Sequence, residues 1–242
     1  MKEFRADLHI HTVLSPCGQL DMSPDKIVKQ ASDRKLHIIG ITDHNSTHHC
    51  KLIRKIAEPL GIFVMMGAEI TTKEEVHCLA FFETDELLDK FQEYLDEHLP
   101  HIPNDPERFG YQVIVDENEI ILKTEEWLLI SALDQSIEQV ESMVHELGGI
   151  FIPAHIDKGS FSLFSQLGFI PKGLKADAFE ISPRANSQAI TPLITGSASK
   201  TLIRNSDAHL LELIGSVCSI FRMEYCSFKQ IRTAIETMNI SI

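Results

Sequence analysis

Apolar and polar residues alternate at the start of the chain, along residues 6–12. The leucine and isoleucine of this stretch lie on one face, and Asp7, His9 and His11 lie on the other. Alternation with a period of two is typical of a β-strand, in which side chains two positions apart point to the same side. We therefore predict that His9 and His11 point together from the end of a first strand.

Apolar runs recur along the rest of the chain and alternate with segments of helical periodicity. Further strands are predicted at residues 36–41, 62–69, 76–82, 150–155, 177–181, 202–209 and 217–221. Helices are predicted from residue 23 onward and over residues 46–60, 136–147 and 227–238. This alternation predicts an α/β fold with a parallel sheet, either a barrel or a doubly wound sheet. In both, the carboxyl ends of the strands meet at one rim.

The pattern changes between residues 84 and 131, where charged residues are more frequent. Apolar residues at positions 87, 88, 91 and 95 indicate a helix, and two short strands are predicted around a turn at residues 116–119. We interpret this stretch as an insertion into a single domain that covers residues 1–242. The insertion is either a lid or a structural flap.

The composition excludes several classes of protein. The chain has 242 residues, 43% of them hydrophobic, which is enough for one large core. It contains no apolar run of about 18 residues, so no membrane span is expected. The first strand begins almost at once, so we expect no signal peptide. Five cysteines without regular spacing favour a reducing, cytoplasmic location.

The formal net charge of −13 argues against binding to long duplex nucleic acid or to anionic membranes. It does not exclude a small anionic substrate, because bound divalent cations reverse the local electrostatic field. A small molecule or a short nucleotide is therefore the expected partner.

Side chains that bind metals lie at or within the predicted strands. They are His9, His11, His44, Glu69, His77, His155, Asp207 and His209. Imidazole with carboxylate suits Zn²⁺, Mn²⁺ or Fe²⁺. One tetrahedral ion needs fewer ligands, so we expect a multinuclear site with bridging carboxylates such as Glu69 and Asp207, as in phosphoester hydrolysis. The alternative is that each residue has a separate structural role, which we expect for most of the other six histidines.

Six motifs, in order along nearly the whole chain, resemble those of the PHP (polymerase and histidinol phosphatase) phosphoesterases. They lie at residues 7–12, 41–45, 67–70, 76–80, 153–155 and 205–209. The resemblance implies a distorted (β/α)7 TIM-like barrel and a trinuclear metal site.

The resemblance also implies which residues hold each ion. His9, His11, Glu69 and Asp207 hold the first metal, Glu69 bridges to a second held by His77 and His155, and His44 and His209 hold the third. A further ligand comes from the loop after His11, where family members often have Asp or His and this chain has Cys17. Cys17 either binds as a thiolate, which favours Zn²⁺, or is a bystander.

The function implied is a metal-dependent phosphoesterase that hydrolyses a phosphate monoester or a short nucleotide with two or three divalent ions (Zn, Mn or Fe). Lys158 and Arg184 are candidate phosphate ligands, although each is equally well interpreted as a solvated cation. Asp43 is a candidate to orient His44 or a water molecule. Two alternatives stay open: an amidohydrolase-like hydrolase, and a PHP-like scaffold without catalysis.

Overall fold

The computed structural model describes residues 1–194, 196–197 and 201–242. The strands are β1 (Lys2–Ile10), β2 (Ile38–Ile41), β3 (Phe63–Thr71), β4 (His77–Phe82), β5 (Val113–Val115), β6 (Ile121–Thr124), β7 (Ile150–Pro153), β8 (Phe179–Ile181), β9 (Leu202–Arg204), β10 (Ser219–Met223) and β11 (Ile240–Ser241). The helices are α1 (Pro24–Asp33), α2 (Cys50–Ala57), α3 (Asp85–His98), α4 (Pro106–Phe109), α5 (Ile137–Glu146), α6 (Leu163–Gln166), α7 (Ser187–Ile190) and α8 (Phe228–Glu236). Within these residues, no helix is long and apolar enough to cross a membrane.

Seven strands form one curled sheet in the order β11-β10-β1-β2-β3-β4-β7. The α/β class predicted from the sequence is confirmed, but the sheet is mixed and not parallel throughout. β1, β2 and β3 are parallel, whereas β4 runs antiparallel to both β3 and β7. Only residues 72–76 connect β3 to β4, which is too short for the crossover that parallel strands need. His77 therefore begins β4 opposite Thr71, at the rim where β1 to β3 end.

The parallel pair β8 and β9 lies between β7, at one edge of this sheet, and β1, in its interior, and links the two. On one side, Asp177 N donates to the carbonyl of Phe151 in β7 at 2.9 Å. On the other side, Ala208 N donates to the carbonyl of His9 in β1 at 3.1 Å. Residues distant in sequence thus meet around one ring of backbone.

The inside of the ring is filled by an apolar cluster with members from β1, β2, β3, β4, β7 and β9 and from the residue just before β8. Its members include Leu8, Ile38, Met65, Leu79, Ile152, Ala178 and Ile203. Side chains an even number of residues along a strand share its face. Glu69 lies four residues after Met65, and Glu180 lies two after Ala178, so both acids lie above the apolar floor.

The stretch at residues 84–131 contains α3 and the β5–β6 hairpin, where a helix and two strands were predicted. Val113 and Val115 pack against Val13, in the loop after β1. Val115 N also donates to His49 Nε2 at 3.0 Å. The hairpin is therefore attached to the loop that follows the first two histidines.

Candidate metal centre

A cavity of about 270 Å³ opens at the rim where the metal-binding residues meet. Its lining consists of Cys17, His44, Glu69, His77, Ile130, His155, Lys158, Ser160, Phe161, Asp207 and His209. His9 and His11 lie below it and are fully buried.

Glu69 is at the centre of the cluster. Its Oε1 lies 3.2 Å from His9 Nε2, 3.0 Å from His77 Nδ1 and 3.1 Å from His155 Nε2, and its Oε2 lies 3.2 Å from His11 Nε2 and 3.3 Å from His44 Nδ1. Burial alone would raise the pKa of Glu69, but the histidines around it outweigh burial and hold the pKa well below its usual value. Each oxygen of this ionised carboxylate faces its own group of imidazoles, which is the arrangement of a bridging ligand.

Asp207 and His209 reach the same cluster from the loop after β9. Asp207 Oδ1 lies 3.4 Å from His9 Nε2 and 3.6 Å from His11 Nε2. The loop is held by buried Asp7, which accepts hydrogen bonds from Ser206 N (3.0 Å) and Ser206 Oγ (2.6 Å). Burial raises the pKa of Asp7 to about 6, although these hydrogen bonds favour its charged form.

The buried partners of His9 and His11 decide which ring nitrogen carries the proton. Glu180 Oε2 lies 3.0 Å from His9 Nδ1, and a carboxylate only accepts, so we assign the proton to Nδ1. His11 Nδ1 lies 2.9 Å from Ser15 Oγ, and Ser15 donates onward to Asp43 Oδ1 at 2.7 Å. His11 Nδ1 is therefore also the donor. Both Nε2 atoms are left facing the centre of the site, as in histidines that bind metals.

These atoms fit divalent cations. The Nε2 atoms of His9 and His11 lie 3.2 Å apart, close to the ~3.3 Å between two nitrogens on one tetrahedral ion with bonds of about 2.05 Å. His44 Nδ1 is buried and makes no hydrogen bond within the described part of the chain, although Glu69 Oε2 lies 3.3 Å away. Burial lowers the pKa of His9, but Glu180 and Glu69 outweigh it and raise the pKa well above normal, so the site attracts positive charge.

Among the residues that the structure describes, three overlapping groups bring their ligand atoms within 4.8 Å of one another. The groups are His9, His11 and Glu69; His44, Glu69 and His77; and His11, Cys17, His44 and His209. Such overlap fits a polynuclear site. Cys17 is exposed at the mouth of the cavity, next to the third group.

The candidates for phosphate binding and orientation differ in their placement. Lys158 lines the cavity and its Nζ contacts Asp207 Oδ2. Arg184 is exposed in the loop after β8 and is not part of the cavity wall. Asp43 accepts from Thr12 and Ser15, so in this structure it supports His11 through Ser15. Its link to His44 is indirect, because the backbone N of His44 donates to Ser15 Oγ at 3.1 Å.

Several residues of the site were not singled out from the sequence, among them Ser15, Glu180 and Phe161. Glu180 carried a signal, since it is an acid between the apolar residues Phe179 and Ile181. Ser15 and Phe161 lie in loops, where no periodicity shows which way a side chain points.

The PHP domain family model matches residues 7–230. This chain belongs to the PHP family. The resemblance seen in the six motifs is thereby confirmed. Together with the buried histidine and glutamate clusters, membership indicates a metal-dependent hydrolase with a polynuclear site.

Three known proteins resemble this PHP chain over nearly all of its length. YqxK of Bacillus subtilis, an uncharacterised protein, is 23% identical over 98% of this chain and 62% of its own. The structure of the lesion-specific endonuclease PfuEndoQ from Pyrococcus furiosus has a TM-score of 0.75 at 21% identity, covering 98% of this chain and 56% of its own. A proposed metal-dependent phosphoesterase from Bifidobacterium adolescentis has a TM-score of 0.58 at 21% identity, covering 94% of both chains. The chain thus spans less than two thirds of YqxK and PfuEndoQ, and these likenesses show the fold.

Proposed function

We propose that this PHP chain hydrolyses phosphate monoesters of small metabolites or short nucleotides, with two or three divalent ions (Zn²⁺, Mn²⁺ or Fe²⁺) in the cavity. The observation that carries the proposal is the position of Glu69, a buried carboxylate with a group of imidazoles at each oxygen. Divalent ions held there supply charge neutralisation at the phosphoryl oxygens and lower the pKa of a water nucleophile. Phosphoester hydrolysis is the chemistry for which such paired sites are typical.

Lys158 supplies a positive charge at the mouth of the cavity. Burial lowers the pKa of its ammonium, but the charge and hydrogen bond of Asp207, together with the charges of Glu69 and Glu180, outweigh burial and raise the pKa above the normal value. Lys158 is therefore protonated at neutral pH. Its side chain is 37% exposed, so the ammonium is available to donate hydrogen bonds to a phosphoryl oxygen of the substrate.

Two further observations support a small phosphorylated substrate. The cavity of about 270 Å³ is small, and the formal net charge of −13 disfavours contact with a long duplex. The names of the two structural neighbours, an endonuclease and a proposed phosphoesterase, both describe phosphoester chemistry. They support the proposed type of reaction and not the proposed size of the substrate.

The decisive experiment replaces His9 or Asp207 by alanine and measures turnover of 4-nitrophenyl phosphate with added Mn²⁺ or Zn²⁺. We expect kcat/KM to fall at least about 100-fold in each variant, because each removes a group that positions or balances the charge at the reacting phosphate. His98→Ala is the matched control, since His98 pairs with Asp134 at the end of α3 and does not line the cavity. Unchanged turnover in metal-loaded His9→Ala protein would refute the proposal.

The same preparations test the two alternatives. Hydrolysis of a cyclic amide without hydrolysis of any phosphate ester would identify an amidohydrolase-like enzyme. Protein that binds no Mn²⁺ or Zn²⁺ in equilibrium dialysis would identify a scaffold.

A further inference from the structure

Phe161 is a large apolar side chain placed in the wall of the metal cavity and left 44% exposed. Its backbone is in the left-handed region, with φ of +52°. A bulky residue adopts this conformation only when the surrounding structure imposes it, and such residues cluster at functional sites. Exposure and backbone strain therefore coincide at one aromatic residue beside the predicted ligands.

Two sets of contacts hold Phe161 in place. Its carbonyl accepts a hydrogen bond from His77 N at 3.0 Å, and its ring stacks on the His77 imidazole with centroids 5.0 Å apart and planes at 17°. The next residue, Ser162, donates from Oγ to the carbonyl of Lys158 at 2.6 Å and caps α6. The loop thus fixes one face of the ring against His77 and leaves the ring partly open to solvent.

Ile130 supplies a second apolar wall in the same cavity. The backbone around it is fixed by Asn45, whose Nδ2 donates to the carbonyls of Leu129 (2.7 Å) and Ser131 (2.8 Å). The cavity therefore has ligand imidazoles and carboxylates at its base, and one aromatic and one aliphatic wall near its mouth. A substrate with a charged end and a flat apolar end matches this division.

We propose that Phe161 stacks against the nucleobase of a nucleoside monophosphate whose phosphate lies at the ligand cluster. Phe161 then makes the site selective for nucleotides over sugar phosphates that lack a base. The stack is indifferent to which base is present, because every base offers a flat π-face. This inference rests on the proposed phosphoesterase function and adds its substrate class.

The test compares two substrates that differ only in the base: adenosine 5′-monophosphate and ribose 5-phosphate. We expect the metal-loaded full chain to show kcat/KM at least about tenfold higher for the nucleotide, since base–aromatic stacking has an effect of this size. Phe161→Ala and Phe161→Leu should bring the ratio of the two kcat/KM values close to one. Phe161→Tyr should keep most of the ratio, because it retains a flat ring.

Metal content measured on each variant shows whether the neighbouring His77 site is intact. A wild-type ratio near one, or equal losses on both substrates in Phe161→Ala, would overturn the inference and assign the ring a packing role only. If the protein hydrolyses 4-nitrophenyl phosphate but does not prefer adenosine 5′-monophosphate over ribose 5-phosphate, this inference alone fails. If no phosphate ester is hydrolysed by loaded protein, the proposed function fails with it.

Discussion

The two halves of the candidate metal centre are supported in different ways. In the inner half, His9 and His11 are fully buried and each ring has a side-chain partner behind it, Glu180 for His9 and Ser15 for His11. In the outer half, the His209 side chain is 28% exposed, and its Nδ1 lies 3.0 Å from the carbonyl of Asp207 in its own loop. Cys17 is exposed beside it. The inner half is therefore held by buried side-chain partners, whereas His209 and Cys17 in the outer half are more exposed and have fewer such contacts.

The pKa values of the histidines also differ between the two halves. In the inner half, Glu180 and Glu69 overcome burial and raise the pKa of His9, so a positive charge is favoured even before a metal binds. In the outer half, burial has the largest effect on His209 and repulsion from His11 the second largest. Together they lower the pKa of His209 to about 4. We expect the inner ions to bind tightly and the outer ion weakly.

Glu69 contacts the histidines of both halves, so replacing it should have the largest effect on turnover and on bound metal. We expect Glu69→Gln to lower kcat/KM about 1,000-fold and to reduce the bound metal, because a neutral amide cannot balance two cations. Metal analysis and turnover of 4-nitrophenyl phosphate measure this directly. A Glu69→Gln protein that keeps two or more equivalents of metal would show that the halves do not share a ligand.

The low pKa of His209 predicts a pH dependence of stability in the metal-free protein. Its pKa falls from 6.5 to about 4 on folding, so between these values the unfolded chain binds a proton that the folded chain does not. Stability from this group is present above pH 6.5 and is lost as the pH falls through 4, by at most about 3 kcal/mol. The His209→Gln variant should not lose this stability as the pH falls, because glutamine does not bind a proton in this range.

Urea unfolding of metal-free wild type and His209→Gln at several values between pH 7 and pH 4 measures the effect. The free energy of unfolding of the variant should rise relative to that of the wild type as the pH falls. Parallel profiles for the two proteins would mean that His209 is solvated, and the contrast between the halves would then be smaller than the structure indicates.

Replacing Glu180, the buried partner of His9, should have the next largest effect. We expect Glu180→Gln to weaken binding of the inner metal by about 10- to 100-fold, as is usual for the partner of a metal-binding imidazole. The control is Glu141→Gln, because Glu141 forms a similar contact of 2.6 Å with His145 on α5, away from the cavity. Equal metal affinity in both variants would show that Glu180 does not support the inner half.

Much of this centre could be predicted from the chain because its residues follow simple rules. Alternation in the first strand orients His9 and His11 together, and Glu69 and Asp207 stand at or after the ends of apolar runs. The direction of β4 was not predicted, because apolar content alone does not show whether a strand runs parallel or antiparallel to its neighbours.

The supporting contacts were beyond prediction for a different reason. Glu180 and His9 are 171 positions apart in the chain and meet only after the ring of strands has formed. Phe161 faces the cavity through a left-handed backbone conformation that no periodicity marks. Periodicity therefore assigns a residue to a face, while the partner across that face depends on tertiary structure.

Cys17 is the finest test of the outer half. Cys17 is exposed as a residue, but its thiol faces the cavity, where desolvation and the negative charge of Glu69 both raise its pKa above the ordinary value. The thiolate therefore needs a cation to form. We expect Zn²⁺ to protect Cys17 from alkylation, and Cys17→Ala to weaken the last metal equivalent by about tenfold. Cys17→Asp should restore that equivalent, whereas Cys226→Ala, at a half-buried cysteine outside this cavity, should change nothing. Alkylation of Cys17 at the same rate with and without Zn²⁺ would instead make it a bystander, and His44 and His209 would then hold the outer ion with solvent.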